Sequence, residues 1–395
     1  MRLPAPLRPM WPYLKNGYVR ATRAAAPVSM GLSRMRGNYL PTSIVETMEQ
    51  AAASSGGRCE TARPTEAANW PRAEGIPDRH PAFAAVEGEV IPRVAVAELP
   101  GGRVLGSHRA VITGTGSLVQ EISRYFGTSH PRQHPLFLNP FPEPPLEVSG
   151  RLGVLATRGD QNYYHFLVDA ICRLGIMEQC PEIEAPDQWY VPSGAPWQRE
   201  ILTMFGVPES AIIDSDRHPH VRAETLVVPG LPAVDVLNPR WAMDFLRTRM
   251  RPFASAHAEG GRIYLSRGAS ANNRMVENEA QVLDEVLLPR GFRVLNPAGL
   301  SVADQIAEFA AATAIVTPHG AGMTNVLFAS PGCRVVELFP DATILQPCYW
   351  RLAHTVPGVE YRYLAGSRLT TRGGLGGMLV RDIVVDTNAL GQLLD

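Results

Sequence analysis

The second half of the sequence alternates short apolar runs with amphipathic ones, a pattern that few folds can accommodate. Runs with the length and β-branched content of buried strands occur at RIYLSR (262–267), FRVLNP (292–297), TAIVTP (313–318) and CRVVELF (333–339). Helical patterns, ENEAQVLDEVLL and SVADQIAEFAAA among them, separate these runs. Since strand, helix and strand in succession form a parallel crossover unit, the alternation predicts an α/β fold with a parallel sheet.

The first half shows a looser version of the same pattern. GVLATRGDQNYYHFLVDAICRLGIMEQ (153–179) predicts a strand and an amphipathic helix, and further strand and helix patterns follow it. Short strand-like runs precede it as a β-rich lead-in. We therefore predict a basic, irregular N-terminal extension over 1–80, an N-terminal α/β domain over 81–250 and a C-terminal Rossmann-like domain over 251–395.

Charge and cysteine usage limit the partners. The formal net charge is -1, and no basic run is interleaved with aromatic residues, so we expect no nucleic-acid partner. Residues 1–45 nevertheless carry seven basic residues and no acidic one, which suits either an anionic membrane surface or a disordered leader. The five cysteines lack C-x-x-C spacing, and an odd number favours a reducing compartment. These features predict a cytoplasmic protein that contacts the inner face of the membrane peripherally through residues 1–45.

The segment TPHGAG (317–322) lies at a predicted strand-to-helix corner. The first backbone N–H groups of a helix have no intrahelical partner, and such corners bind anions, phosphate above all. Glycines at 320 and 322 allow a ligand to approach the main chain, and His319 adds a donor. The same residues also fit a tight turn in which His319 bonds a neighbouring carbonyl.

The sequence does not match the dinucleotide-binding fingerprint or the P-loop. The third glycine of a dinucleotide-binding fingerprint would fall at Asn325 for GAG and at Val119 for GTGSLV. No G-x-x-x-x-G-K-[ST] occurs in the chain. A dehydrogenase or a P-loop nucleotide hydrolase is therefore disfavoured.

Further polar residues stand out on other elements. In the predicted helix NYYHFLVDAICR, His165, Asp169 and Arg173 recur every four residues, which fits a general base with its partner or a surface ion pair of Asp169 with Arg173. Arg267 ends a strand, so it and His319 should open onto one crevice, where ligands bind in parallel sheets. Arg274 is a second candidate for a phosphate, unless both arginines are simply solvated.

Two acidic motifs leave alternatives open. Glu337 lies inside a strand, where a charge needs a partner, either ribose hydroxyls or an arginine such as Arg334 or Arg351. Asp214 and Asp216 form a D-x-D that suits a divalent metal on a nucleoside diphosphate, or an ordinary polar loop.

The order of these motifs resembles glycosyltransferase family 61. The resemblance rests on N-x-x-H-F-L-x-D, L-S-R with a downstream R-x-x-x-N-E, H-G-A-G-x-T-N and V-x-E-L-F-P, within residues 85–365. The matching residues are Asn162, His165, Phe166, Leu167, Asp169, Ser266, Arg267, Arg274, Asn278, Glu279, His319, Gly320, Ala321, Gly322, Thr324, Asn325 and Glu337. Met323 departs from the leucine of the family pattern.

The resemblance implies a GT-B-like fold, in which two Rossmann-like domains face a central cleft. It also implies inverting transfer, without a metal or other cofactor, from a nucleoside diphosphate sugar, with UDP-sugar favoured. The acceptor would be a hydroxyl of a glycan or lipid-linked saccharide, as in capsule or exopolysaccharide biosynthesis. Implied donor-side residues are Arg267, Arg274, His319, Gly320, Ala321, Gly322, Asn325 and Glu337, and implied acceptor-side residues are Asn162, His165 and Asp169.

Within this assignment Asp169 is the first candidate for the catalytic base and His165 the second. Two other hypotheses remain: a metal-dependent transferase that uses Asp214 and Asp216, and a non-catalytic nucleotide-sugar-binding assembly subunit.

Overall fold

The computed structural model describes residues 11–78, 80–86, 88–125, 128–232, 236–267, 275–340, 347–366 and 382–395. The chain divides into two compact units. The first unit comprises Lys15–Glu66 and Pro92–Val234, and the second comprises Met1–Leu14, Ala67–Ile91 and Asp235–Asp395. The chain thus crosses between units near residue 234, whereas the sequence places the boundary at 250.

The first unit is built on a ten-stranded sheet. Its helices are α1 (Trp11–Met35, which begins just before the unit), α2 (Met48–Ser55), α4 (Tyr163–His165), α5 (Cys172–Met177) and α6 (Pro196–Met204). Its strands are β1 (Ser43–Val45), β2 (Cys59–Arg63), β6 (Val94–Pro100), β7 (Arg103–Leu105), β8 (Ala110–Ile112), β9 (Ser117–Val119), β10 (Leu146–Val154), β11 (Gln188–Val191), β12 (Ile212–Asp214) and β13 (His220–Pro229).

This sheet is mixed rather than purely parallel. β10 pairs in parallel with β11 and β13, and β11 pairs in parallel with β12, as the strand and helix alternation predicts. On its other side β13 pairs antiparallel with β6 and β7, which belong to the β-rich lead-in. The lead-in therefore extends the same sheet, because β13 spans ten residues and leaves an edge for both strands.

Residues 11–78 form regular structure, where the sequence predicts an irregular extension over 1–80. They supply α1, α2, β1 and β2 to the first unit and two strands, β3 and β4, to the second. The buried face of α1 consists of small side chains, Ala26, Ser29 and Ser33 among them, so no large apolar periodicity marks it. Short strands of two or three residues carry no visible periodicity either.

Helix α2 begins later than its sequence suggests. Ser43 and Glu46 fit a capping box, but Ser43 lies in β1, which pairs with β9. Thr47 and Gln50 have the same spacing four residues on, and they form the box: Thr47 Oγ1 accepts from the Gln50 N–H at 3.3 Å, and Gln50 Oε1 accepts from the Thr47 N–H at 3.4 Å.

The second unit contains a six-stranded sheet in the order β15-β14-β16-β17-β18-β4, and each of its pairs is parallel. Its strands are β4 (Glu74–Ile76), β14 (Gly261–Leu265), β15 (Phe292–Leu295), β16 (Ala312–Pro318), β17 (Arg334–Phe339) and β18 (Glu360–Ala365); β3 (Glu66–Ala67) and β5 (Val90–Ile91) form a separate ribbon. Its helices are α3 (Pro81–Ala84), α7 (Arg240–Met250), α8 (Glu279–Val282), α9 (Val302–Ala311), α10 (Cys348–Thr355) and α11 (Thr387–Leu394).

The architecture confirms the predicted α/β class. The four predicted apolar runs become β14, β15, β16 and β17, and each contributes a side chain to one buried cluster: Tyr264, Phe292, Val316 and Val336. Within the described ranges, none of the helices combines the length and apolar character needed to cross a bilayer. The five cysteines are all described, and all are free thiols.

Candidate functional site

The motif HGAG lies where β16 ends in the second unit. The His319 N–H donates to the Leu338 carbonyl of β17 at 2.9 Å, which carries the backbone one residue past the strand. A 3₁₀ helix, Ala321–Phe328, follows immediately. The predicted strand-to-helix corner is therefore present, and its first turn presents backbone N–H groups beside the end of the sheet.

A series of buried hydrogen bonds from β17 and β18 holds the His319 ring in place. Glu337 is fully buried on β17, and one of its carboxylate oxygens lies against His319 Nδ1 while the other accepts from the Tyr361 hydroxyl of β18. Burial, followed by the neighbouring Glu337 carboxylate, raises the pKa of Tyr361 well above its ordinary value, so this hydroxyl stays a donor. These hydrogen bonds fix the orientation of the imidazole, which leaves its Nε2 as the ring atom available to other groups.

The position of Arg267 explains why glycine suits one of positions 320 and 322. Its Nη1 donates to the His319 carbonyl at 2.9 Å, so the guanidinium lies across the backbone at position 320. A Cβ at Gly320 would come within 2.1 Å of that Nη1, whereas a Cβ at Gly322 would meet only the Pro297 Cγ at 4.0 Å. A side chain at 320 would therefore displace the Arg267 guanidinium, whereas at 322 the space is open.

A cavity of about 210 Å³ opens at this corner. Arg267, Gly320, Ala321 and Gly322 line it, together with Leu265, Ser266, Asn296, Pro297, Ala298, Thr317 and Pro318. A guanidinium and the first turn of a helix therefore share one cavity wall, which is the arrangement that binds phosphate oxygens.

Other predicted donor-side residues lie outside the cavity wall. Asn325 is fully buried, and its amide donates to Gln305 Oε1 at 2.7 Å. Glu337 is occupied by His319 and Tyr361, while Arg334 and Arg351 pair with Glu360 and Glu89 instead. Arg274 lies outside the described residues.

Sequence reasoning assigned no ligand-binding role to three polar residues of the cavity. Ser266, Asn296 and Thr317 lie at the carboxyl ends of β14, β15 and β16. The strand-end argument that selects Arg267 and His319 applies equally to these positions, so that signal was available.

We predict that Gly320→Ala weakens nucleoside diphosphate binding while Gly322→Ala does not. The new methyl group displaces the guanidinium from the His319 carbonyl, and loss of a charge-assisted hydrogen bond to ligand lowers affinity by about 10–100-fold. Isothermal titration with both variants checks this, because each adds one methyl group to the same corner. Equal affinities for the two variants would show that Arg267 does not position the ligand.

The second predicted cluster lies in the first unit, in a continuous helix of three parts. Between α4 and α5 the residues Phe166–Ile171 form a π-helical turn, a feature often found at functional sites. It contains Asp169, whose Oδ2 lies 2.7 Å from His165 Nδ1. The side chain of Asp169 is 9% exposed and that of His165 is 21% exposed. The imidazole is therefore the more accessible of the two groups, and the carboxylate orients it.

The remaining members of this helix have structural contacts. Asn162 caps α4, since its Oδ1 accepts from the Tyr164 N–H at 3.0 Å. Arg173 is buried, and its Nη1 donates to the carbonyls of Val154 and Ala156 at 2.9 and 3.2 Å. Burial lowers its pKa to about 10, so it remains a cation at neutral pH. The predicted surface ion pair of Asp169 with Arg173 is therefore wrong, because both side chains are buried.

A buried ion pair that the sequence did not suggest lies nearby. Arg109 Nε donates to Asp160 Oδ2 at 3.1 Å, and its other nitrogens donate to the Ser215 carbonyl and to Asp216. Burial acts to lower the pKa of Arg109, but Asp160, Tyr190 and Asp216 together outweigh it and hold the pKa above its ordinary value. Arg109 adopts a positive φ of 54°, which no local sequence pattern marks.

The D-x-D pair takes part in this network. Asp216 accepts from Arg109 and, through Oδ2, from the Gln161 amide at 2.8 Å. Asp214 Oδ1 accepts from the Asp216 N–H at 3.0 Å, and its Oδ2 lies 3.6 Å from Arg217. Within the part of the chain that the structure describes, no group of three or more His, Cys, Asp or Glu side chains is arranged to hold a metal ion.

The chain is similar to known proteins over the region that contains these motifs. A family model described as Glycosyltransferase 61 matches residues 163–336, which include His165, Asp169, Arg267 and His319. Protein O-linked-mannose beta-1,4-N-acetylglucosaminyltransferase 2 of Tetraodon nigroviridis is 29% identical over 126 residues, 31% of this chain and 22% of that protein. This chain thus aligns with about a fifth of the relative's length. The predicted resemblance to glycosyltransferase family 61 is confirmed over residues 163–336, and the matched relative is named as a glycosyltransferase.

Proposed function

We propose that this chain is an inverting glycosyltransferase that moves a sugar from a nucleoside diphosphate sugar to a hydroxyl of a glycan or lipid-linked saccharide. The observation that carries the proposal is the cavity shared by Arg267 and the first turn after Gly320. A leaving diphosphate needs its negative charge offset, and a guanidinium with oriented N–H groups supplies this without a metal ion. A UDP-sugar donor and a role in capsule or exopolysaccharide assembly rest on the family resemblance.

The proposed donor half uses the second unit. Arg267 binds the diphosphate, and the Glu337, His319 and Tyr361 chain holds the corner rigid behind it. Glu337 and Asn325 act through the residues they hold, since neither lines the cavity. His319 does not line the cavity either, so it acts through its carbonyl, which accepts from Arg267.

The proposed acceptor half uses the His165 and Asp169 pair. The acceptor oxygen attacks the anomeric carbon as the bond from that carbon to the diphosphate oxygen breaks, and the acceptor proton passes to His165 Nε2. Asp169 orients the ring through Nδ1 and stabilises the imidazolium that forms. The exposure of the two side chains favours His165 as the base, the second of the two predicted candidates.

The proposal extends to architecture and compartment. A GT-B-like arrangement is supported by the division into two units, each with its own sheet. A cytoplasmic location is supported by the five free thiols, which persist in a reducing compartment.

Thermal unfolding with UDP, GDP, CDP, CMP and NAD, each with and without EDTA, tests the donor half. We expect one nucleoside diphosphate to stabilise the protein by about 2.7 kcal/mol at a hundredfold excess over its Kd, and EDTA to leave this unchanged. Arg267→Ala should abolish the shift, whereas Arg217→Ala, an exposed arginine of the first unit, should retain it.

Other outcomes separate the competing hypotheses. Stabilisation that requires a divalent metal and is lost in Asp216→Ala would favour the metal-dependent transferase. Nucleotide binding without release of nucleoside diphosphate from any sugar donor and acceptor would favour a binding subunit. Stabilisation by NAD alone would contradict the proposal.

A further inference from the structure

Helix α1 buries one of its faces against the first unit. Val19, Thr22, Ala26, Ser29 and Ser33 are buried. Ala26 packs in a cluster with Leu40, Leu105, Ile112 and Phe137. This spacing of three and four residues defines a single helical face, so the helix is anchored and its opposite face points outward.

The outward face has two different edges. Arg20, Arg23 and Arg34 are exposed along one edge. Val28, Leu32 and Met35, at i, i+4 and i+7, form the other edge and are 64%, 38% and 81% exposed. Small residues lie between the edges, among them Ala24 and Gly31, which are also exposed. Arginines and apolar side chains therefore reach the same surface side by side.

We propose that this outward face of α1 docks the protein on the anionic surface of a lipid bilayer. A helix that lies in the plane of a bilayer needs an apolar strip for the acyl boundary and flanking cations for the head groups. The charge is complementary, since residues 1–45 contain seven basic and no acidic residues. The inference does not depend on the proposed sugar transfer.

Two other occupants fit less well. A symmetric pair of copies would bring the same arginines of each copy together, and like charges repel across an isologous interface. A soluble polyanion would bind the arginines but leave the apolar edge exposed to water. The combination of both edges favours a bilayer.

Co-sedimentation of the full chain with vesicles tests the proposal. We expect binding to mixed phosphatidylglycerol and phosphatidylcholine vesicles and little binding to phosphatidylcholine alone. The variant Arg20→Gln/Arg23→Gln/Arg34→Gln should lower the partition coefficient by about 10²-fold, because each cation near the surface strengthens binding by about fivefold. The variant Val28→Ser/Leu32→Ser/Met35→Ser should lower it by about tenfold or more.

Matched controls change the same number of groups elsewhere on the first unit. Arg58→Gln/Arg217→Gln/Arg222→Gln removes three exposed charges, and Leu138→Ser/Phe141→Ser/Leu146→Ser removes three exposed apolar side chains. Both controls should bind vesicles like the unchanged protein, and all variants should unfold at the same temperature.

The proposal is overturned if the charge control loses as much binding as the α1 variant, which would indicate a general charge effect. Equal binding to both vesicle types would also overturn it. If size-exclusion chromatography shows a dimer that the serine variant dissociates while vesicle binding is unchanged, the face is a contact between copies instead.

Discussion

Replacing His165 with alanine is expected to lower kcat for sugar transfer by about 10²–10⁴-fold, the usual contribution of a general base. His165 lies 2.7 Å from Asp169, and its side chain is the more exposed of the two. Nucleoside diphosphate affinity should stay unchanged, because the proposed diphosphate contacts come from Arg267 and the helix after Gly320. Steady-state kinetics and titration of the nucleotide measure the two effects separately.

Asp169→Asn and the double variant decide which side chain takes the proton. If Asp169 only orients the ring, Asp169→Asn lowers kcat because it favours the wrong tautomer, but in a protein that already carries His165→Ala it lowers kcat no further. If Asp169 is itself the base, His165→Ala keeps substantial activity while Asp169→Asn does not. His218→Ala, a change at an exposed histidine of the same unit, is the matched control. Activity that survives all of these substitutions would contradict an acid–base role for this helix.

The sequence is most informative where a single residue pattern maps to a single element. Strands β14, β15, β16 and β17 are long enough and apolar enough to be predicted, and strand ends in a parallel sheet meet at one edge. The contact between Arg267 and the backbone of His319 follows from that rule. The corner and its arginine could therefore be predicted without knowing how distant parts of the chain pack.

Pairings between distant positions could not be predicted in this way. Glu337 meets Tyr361 rather than an arginine because β17 and β18 are neighbours, and strand order is a tertiary property. Arg109 and Asp160 are 51 positions apart and share no motif. The small buried side chains of α1 gave no helical signal, since packing density rather than hydrophobic periodicity decides their burial.

The Arg109 and Asp160 pair should carry the largest effect on stability. Both side chains are 3% exposed, so Arg109→Met leaves an unpaired carboxylate in a dry environment, at a cost of about 3–5 kcal/mol in the free energy of unfolding. Arg217→Met is the matched control, because the Arg217 side chain is 82% exposed beside Asp214 and such pairs contribute about 0–1 kcal/mol. Urea denaturation of both variants measures the difference.

A second variant tests the physical reason. Arg109→Met combined with Asp160→Leu removes both charges, so most of the lost stability should return, since the penalty comes from the uncompensated carboxylate rather than from the missing attraction. Asp216 is half-exposed at 43% and can be solvated when Arg109 is gone, so it should not prevent this recovery. A double variant as unstable as Arg109→Met alone would show instead that the Arg109 guanidinium is needed for its bond to the Ser215 carbonyl at 2.7 Å, which ties the end of β12 to the loop before β8.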